Sequence, residues 1–268
     1  AWRAHLARIR VWRFLCVAGF ALSASLLLSG CLSILSDEKP SPEEIKVLPE
    51  AARSAEQRGQ YGAAANIYRK MYLESPSGLS TLLGYARNLR YAGATSEAVT
   101  LLEDAEERAE ENYESSSDYL LELGKARLAA GRGDAAVLTL LRAAKLDGKN
   151  WEIHSALGIG YDMLKEYGRA DRAYRRALSL SPKNPTVLNN MAMSLAQYGK
   201  IDEAIKVLES VPNLTRAKAH IRQNLALFYG IKGNFKKAKS YAKLDLDDAT
   251  VKNNMAYFRQ FQGKRVTK

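Results

Sequence analysis

The chain has 268 residues, 47% hydrophobic and 26% charged, which is enough apolar material for a core and too little for a wholly membrane-embedded protein. Forty basic against 29 acidic residues give a formal charge of +11. Two cysteines exclude a disulfide-stapled scaffold, and seven prolines with eighteen glycines exclude a collagen-like or low-complexity chain. The charge is uneven: residues 1–30 hold four arginines and no acid, residues 31–150 hold 15 basic and 19 acidic, and residues 151–268 hold 21 and 10.

Residues 1–13 are basic (Arg3, Arg8, Arg10, Arg13) and residues 14–30 almost wholly apolar or small, the layout of a signal peptide over 1–30. An apolar run of about 17 residues also approaches transmembrane length, so a retained anchor is the alternative. Leu28-Ser29-Gly30-Cys31 resembles the bacterial lipobox. That resemblance implies cleavage before Cys31 and acylation of its thiol. Each buried methylene contributes about 0.8 kcal/mol, and two or three chains fix a protein to a bilayer where one does so only marginally. Leu32 follows, where many such lipoproteins carry an aspartate that keeps them at the inner membrane; the likeness thus implies an outer-membrane location facing the periplasm. Cys16 would leave with the signal, and the mature chain needs no disulfide. Residues 31–44, with Pro40 and Pro42, read as the lipidated N-terminus and an extended tether.

From Ile45 the sequence repeats every 34 residues. Within 151–184, Leu157, Gly158, Tyr161, Ala170, Tyr174, Ala177 and Pro182 stand at positions 7, 8, 11, 20, 24, 27 and 32, and resemble the tetratricopeptide (TPR) pattern. The register gives six units, 45–78, 79–112, 117–150, 151–184, 185–218 and 219–252, with an insertion at Tyr113–Ser116. Every residue at positions 8 and 20 is Ala or Gly, as needed where two helices approach closely. Position 15 is glycine in all but the fourth unit, which has Lys165, so a different turn is expected there. An all-α bundle with alanines recurring by composition is the poorer reading, because the register holds across all six units. The expected fold is an all-α TPR-type solenoid over 45–252, with 253–268 as a capping helix and tail. Pro49 places the start of the first helix near itself. Ala242 and Asp245 predict a short second helix in the last unit, and Met255, Tyr257, Phe258 and Phe261 a helix covering its end.

First helices line the concave face of such an array. Position 9 reads Arg53, Arg87, Lys125, Ile159, Met193, Leu227, a groove that changes from cationic to apolar. Met163 and Ile231 join at position 13, Asn189 and Gln223 stand at position 5, and Asn190 and Asn224 at position 6. Primary amides beside apolar side chains suit a bound peptide; equally, Asn190 and Asn224 could bond neighbouring helices, and Met163 and Met193 could be packing. The basic residues of the C-terminal half (Arg172, Arg175, Arg176, Lys206, Lys236, Lys237, Lys239, Lys243) fall mostly on second helices. They read as a solvated face, or as one attracted to anionic lipid or an acidic partner.

No catalytic constellation, metal-ligand spacing, phosphate loop or cofactor motif appears. His154 reads as packing, and Gly131-Arg132-Gly133 and Gly158-Ile159-Gly160 as turn and helix features. An enzyme is not expected, and neither is nucleic-acid binding in a secreted lipoprotein.

The strings Asn189-Asn190-Met191-Ala192, Arg222-Gln223-Asn224-Leu225-Ala226 and Asn254-Met255-Ala256-Tyr257-Phe258, taken with the lipobox, resemble the TadD-type TPR lipoproteins of the tight-adherence (Tad, or Flp) pilus machinery. The resemblance implies a pilotin-like role, supporting the pilus secretin at the outer membrane through acyl chains on Cys31. Two other readings stay open: an adaptor that docks periplasmic hydrolases or proteases, and a type IV pilus pilotin.

Overall fold

The computed structural model describes residues 42–75, 78–108 and 113–266. The lipobox residues Leu28, Ser29 and Gly30, Cys31, and the tether up to residue 41 lie outside the described residues. Thirteen α-helices and no strand follow one another among those described: α1 (Pro42–Gln57), α2 (Tyr61–Glu74), α3 (Leu79–Tyr91), α4 (Thr95–Arg108), α5 (Ser117–Ala129), α6 (Gly133–Leu146), α7 (Trp151–Met163), α8 (Tyr167–Leu180), α9 (Pro185–Gln197), α10 (Ile201–Glu209), α11 (Ala219–Lys232), α12 (Phe235–Ala242) and α13 (Asp248–Val266). Short 3₁₀ turns lie at Tyr113–Ser115 and Leu214–Arg216.

The helices start and stop where local chemistry dictates. Side chains of Ser116, Asn150, Asn184 and Asn234 accept backbone N–H bonds at the N-termini of α5, α7, α9 and α12, and Pro185 opens α9 where no N–H is missed. Five first helices end on a left-handed glycine: Gly59, Gly93, Gly131, Gly199 and Gly233. Lys165 adopts the same conformation (φ 62°) in the fourth unit. The expected difference in that turn is therefore absent: the backbone keeps its path and the lysine carries the strain of a left-handed residue with a Cβ.

Packing follows the repeat. From α2 onward each helix lies against the next, and first helices of adjacent units also touch (α3 on α5, α5 on α7, α7 on α9). The alanines at position 20, from Ala64 to Ala238, are fully buried. Gly158 shows why position 8 is small. A Cβ there would lie 2.5 Å from the ring of Tyr174, the position-24 side chain of its own unit. The core runs continuously from Ala65 to Phe258.

The ends depart from expectation in part. Helix α1 begins at Pro42, so the stretch from Pro42 to Glu44 is helical and Pro49 lies inside α1. Proline at 49 cannot donate to the Ile45 carbonyl, but Ile45, Lys46 and Val47 are exposed and water can serve it. At the other end α12 is indeed short, eight residues, and Asp245 has a reason to be acidic: its Oδ2 accepts from Arg222 Nε at 2.9 Å. The cap on the array is made by Val251, Met255 and Phe258 of α13, whereas Tyr257 is exposed. No described helix is long and apolar enough to cross a membrane.

Candidate functional site

The groove predicted from the first helices is spread over α1 (Arg53), α3 (Arg87), α5 (Lys125), α7 (Ile159, Met163), α9 (Asn189, Asn190, Met193) and α11 (Gln223, Asn224, Leu227). Position 9 stays at least partly accessible in every unit, as a side chain offered to a partner must. Ile231, by contrast, is buried in the core and leaves the face.

The cationic half is not bare positive charge. Arg53 donates to Glu50 at 2.7 Å, Arg87 lies 4.0 Å from Glu56, and Lys125 is paired with Glu152. Each cation already has a carboxylate, so an acidic ligand there would have to compete for it. Such exposed pairs contribute about 0–1 kcal/mol each and exchange readily. In the apolar half Ile159, Met193 and Leu227 are half-buried and rest on the core, so part of each side chain is packing and part is surface.

The amides divide. Asn224 Nδ2 donates to Asn189 Oδ1 at 2.8 Å, joining α11 to α9. Asn190 and Gln223, on either side of that bond, have no side-chain partner among the described residues, and Gln223 is exposed. Both readings of the asparagines are thus realised in different residues: Asn224 ties units together, and Asn190 with Gln223 presents unused donors and acceptors.

Side chains twelve and ten positions into successive units form hydrogen-bonded rungs. Asn88 Nδ2 donates to Glu56 at 2.6 Å, and Ser194 Oγ donates to Asp162 at 2.5 Å. Asp162 also accepts from the Tyr174 hydroxyl at 2.8 Å. Burial raises the Asp162 carboxyl to about 6, against the opposing pull of its Ser194 and Tyr174 donors. Burial likewise pushes the Tyr174 phenol well up, which keeps it the donor. Arg90 bonds Glu122 at 2.8 Å from one first helix to the next. The sequence reading missed these contacts; for the Glu56–Asn88 and Asp162–Ser194 rungs, an acid at position 12 with a small polar residue at position 10 of the next unit was the available signal.

The accessible apolar side chains and unpaired amides of this face are groups suited to holding a protein partner. His154 bonds the Gly148 carbonyl at 3.0 Å, a structural contact. No group of three or more metal-type ligands gathers among the described residues.

Paired helices repeating every 34 residues, with small residues at their crossings, define a TPR-type α-solenoid. A tetratricopeptide-repeat family model matches residues 163–227. Among solved structures, a tetratricopeptide repeat protein from Parabacteroides merdae superposes with a TM-score of 0.66 at 13% identity, over 83% of this chain and 87% of that one. TTC0263, a thermophilic TPR protein of Thermus thermophilus, gives 0.61 at 18% identity, over 69% and 98%. These share the fold. In sequence, the type IV pilus assembly protein PilF of Pseudomonas aeruginosa is 28% identical over 122 residues, 45% of this chain and 48% of that protein. The BBSome complex member BBS4 of Mus musculus is 28% identical over 113 residues, 42% of this chain and 22% of that protein. The chain thus spans under half the length of these curated relatives.

Proposed function

We propose that this chain is an outer-membrane TPR lipoprotein that binds a partner protein during assembly of a Tad/Flp pilus, in pilotin-like support of its secretin. The observation that carries the reading is the lipobox ending in Cys31, followed by a repeat array whose last units hold the strings at 222–226 and 254–258. The helical array supplies the holding surface: half-buried Ile159, Met193 and Leu227 would take apolar side chains, while Asn190 and Gln223 would pair with the backbone of an extended segment. Acyl chains on Cys31 would keep that surface at the membrane where the secretin must assemble. No bond is made or broken in this scheme.

A type IV pilus pilotin is the second reading, favoured by the 28% identity to PilF. One experiment separates the two. The lipoprotein and a Cys31→Ser variant are each precipitated from detergent-solubilised envelope, and the co-purifying secretin is identified by mass spectrometry. The Tad secretin is expected with the native protein and is expected to be mislocalised in cells carrying Cys31→Ser. Correct secretin assembly with Cys31→Ser sinks the pilotin role, and recovery of a type IV pilus secretin selects the second reading.

A further inference from the structure

The turn between α7 and α8 carries a shallow, open cleft of about 380 Å3, lined by Lys165, Glu166, Tyr167, Arg169 and Arg172 of the fourth unit and Tyr198 of the fifth. Its wall is a stacked pair of rings, Tyr167 on Tyr198, with centroids 5.0 Å apart. Tyr198 remains more than half exposed. Arg169 is committed to Glu166 at 2.9 Å and to the face of Tyr161. Lys165 and Arg172 have no carboxylate partner among the described residues, and both are exposed.

Lys165 is the unusual member. Its position is a left-handed glycine in the five other units, and here a lysine holds the same conformation at an energetic disadvantage. Lys183 shares the left-handed conformation outside the cleft, so strain alone marks nothing; at Lys165 it coincides with surplus positive charge and an exposed aromatic wall.

We infer that this cleft is a docking site for an acidic peptide segment of a protein partner, independent of which machinery the array serves. Carboxylates spaced along a peptide can meet Lys165 and Arg172 one at a time, and their methylenes can lie on the Tyr167–Tyr198 rings. A lipid phosphodiester brings one negative charge, whereas a peptide can bring a separate carboxylate to each of the two cations, which favours the peptide.

Fluorescence anisotropy of a labelled hexaglutamate peptide with the full-length protein in detergent tests this. Arg172→Gln is expected to weaken binding about fivefold without moving the Tm. Lys165→Gly is expected to weaken it similarly while raising the Tm by about 1–3 °C, because the turn loses its strain. Lys145→Gln, on α6 outside the cleft, should bind as the native protein does. A Lys165→Gly protein that melts higher yet binds hexaglutamate undiminished would leave Lys165 a merely strained turn residue and overturn the assignment. So would capture of phosphatidylglycerol vesicles through the same two cations with no binding of hexaglutamate.

Discussion

Asn224 and Asn189 meet amide to amide across two first helices, 2.8 Å apart, and this bond divides the residues around it into those that hold the array and those that face outward. Removing one partner leaves the other half-buried and unpaired, so Asn224→Ala should lower stability by about 1 kcal/mol, read in a denaturant or thermal melt. Asn190 and Gln223 satisfy nothing inside the protein among the described residues. An Asn190→Ala, Gln223→Ala double variant is expected to melt as the native protein does while capturing less partner from solubilised envelope. Undiminished capture would move the peptide contact off this part of the groove.

Asp162 predicts a distinctive pH dependence. Its folded carboxyl titrates at about 6, above its ordinary 3.8, so the folded state holds the proton more tightly than the unfolded one. This group's contribution to stability is therefore fully present below about pH 4 and lost as pH rises through 6. Asp162→Asn should stabilise the protein at pH 7.5 by about 1–2 kcal/mol, once weaker hydrogen bonds from Tyr174 and Ser194 to a neutral acceptor are set against the relieved burial of charge. Toward pH 4 the difference between variant and native melts should vanish. A constant difference across pH 4–8 would place the charge elsewhere.

The solenoid was legible because its determinants repeat. Small residues at positions 8 and 20 and glycine at position 15 act through local backbone geometry, and the fold can be read wherever six units agree. Single-residue exceptions were not legible. Pro49 looked like a helix boundary because the rule against proline inside a helix assumes the orphaned carbonyl is costly, and at an exposed first helix it is not. Lys165 looked like a changed turn, although packing of α7 on α8 holds the backbone in place. The groove was readable as a list of positions but not as a charge pattern. The acids that neutralise Arg87 and Lys125 come from other units, Glu56 and Glu152, whose direction the spacing does not reveal.

The string that carries the Tad resemblance in the last unit contains a structural clamp, which makes a further prediction. Arg222 is buried, binds both oxygens of Asp245, and donates to the carbonyls of Ala217 and Thr215, the latter at 3.1 Å. Arg222→Ala would leave Asp245 buried without its partner and free both carbonyls, a loss of about 3–5 kcal/mol. Because the sixth unit is the last of the array and is followed by α13 alone among the described residues, that is expected to unfold the sixth unit first, seen as accelerated hydrogen exchange over 217–258. Pairing Arg222→Met with Asp245→Leu should recover much of the loss, because an apolar pair removes both buried charges together. If the double variant is no better than Arg222→Ala, the carbonyl bonds and not the ion pair hold that end.

Gly158 and Tyr174 offer the sharpest test of why position 8 is small. A Cβ at 158 would approach three ring atoms of Tyr174 at 2.5–2.7 Å, and the ring cannot simply withdraw, since its hydroxyl is held by Asp162 at 2.8 Å. Gly158→Ala is therefore expected to cost about 2 kcal/mol despite the better helix propensity of alanine. Two other units combine alanine at position 8 with leucine at position 24, Ala86 with Leu102 and Ala192 with Leu208, all buried, whereas the third pairs Gly124 with Leu140, where a Cβ would lie 2.6 Å from the leucine. Adding Tyr174→Leu to Gly158→Ala should accordingly cost less than the two single losses together, by about 1 kcal/mol in a double-mutant cycle. Strict additivity would mean that the tyrosine ring moves aside freely and that the Asp162 hydrogen bond does not fix it.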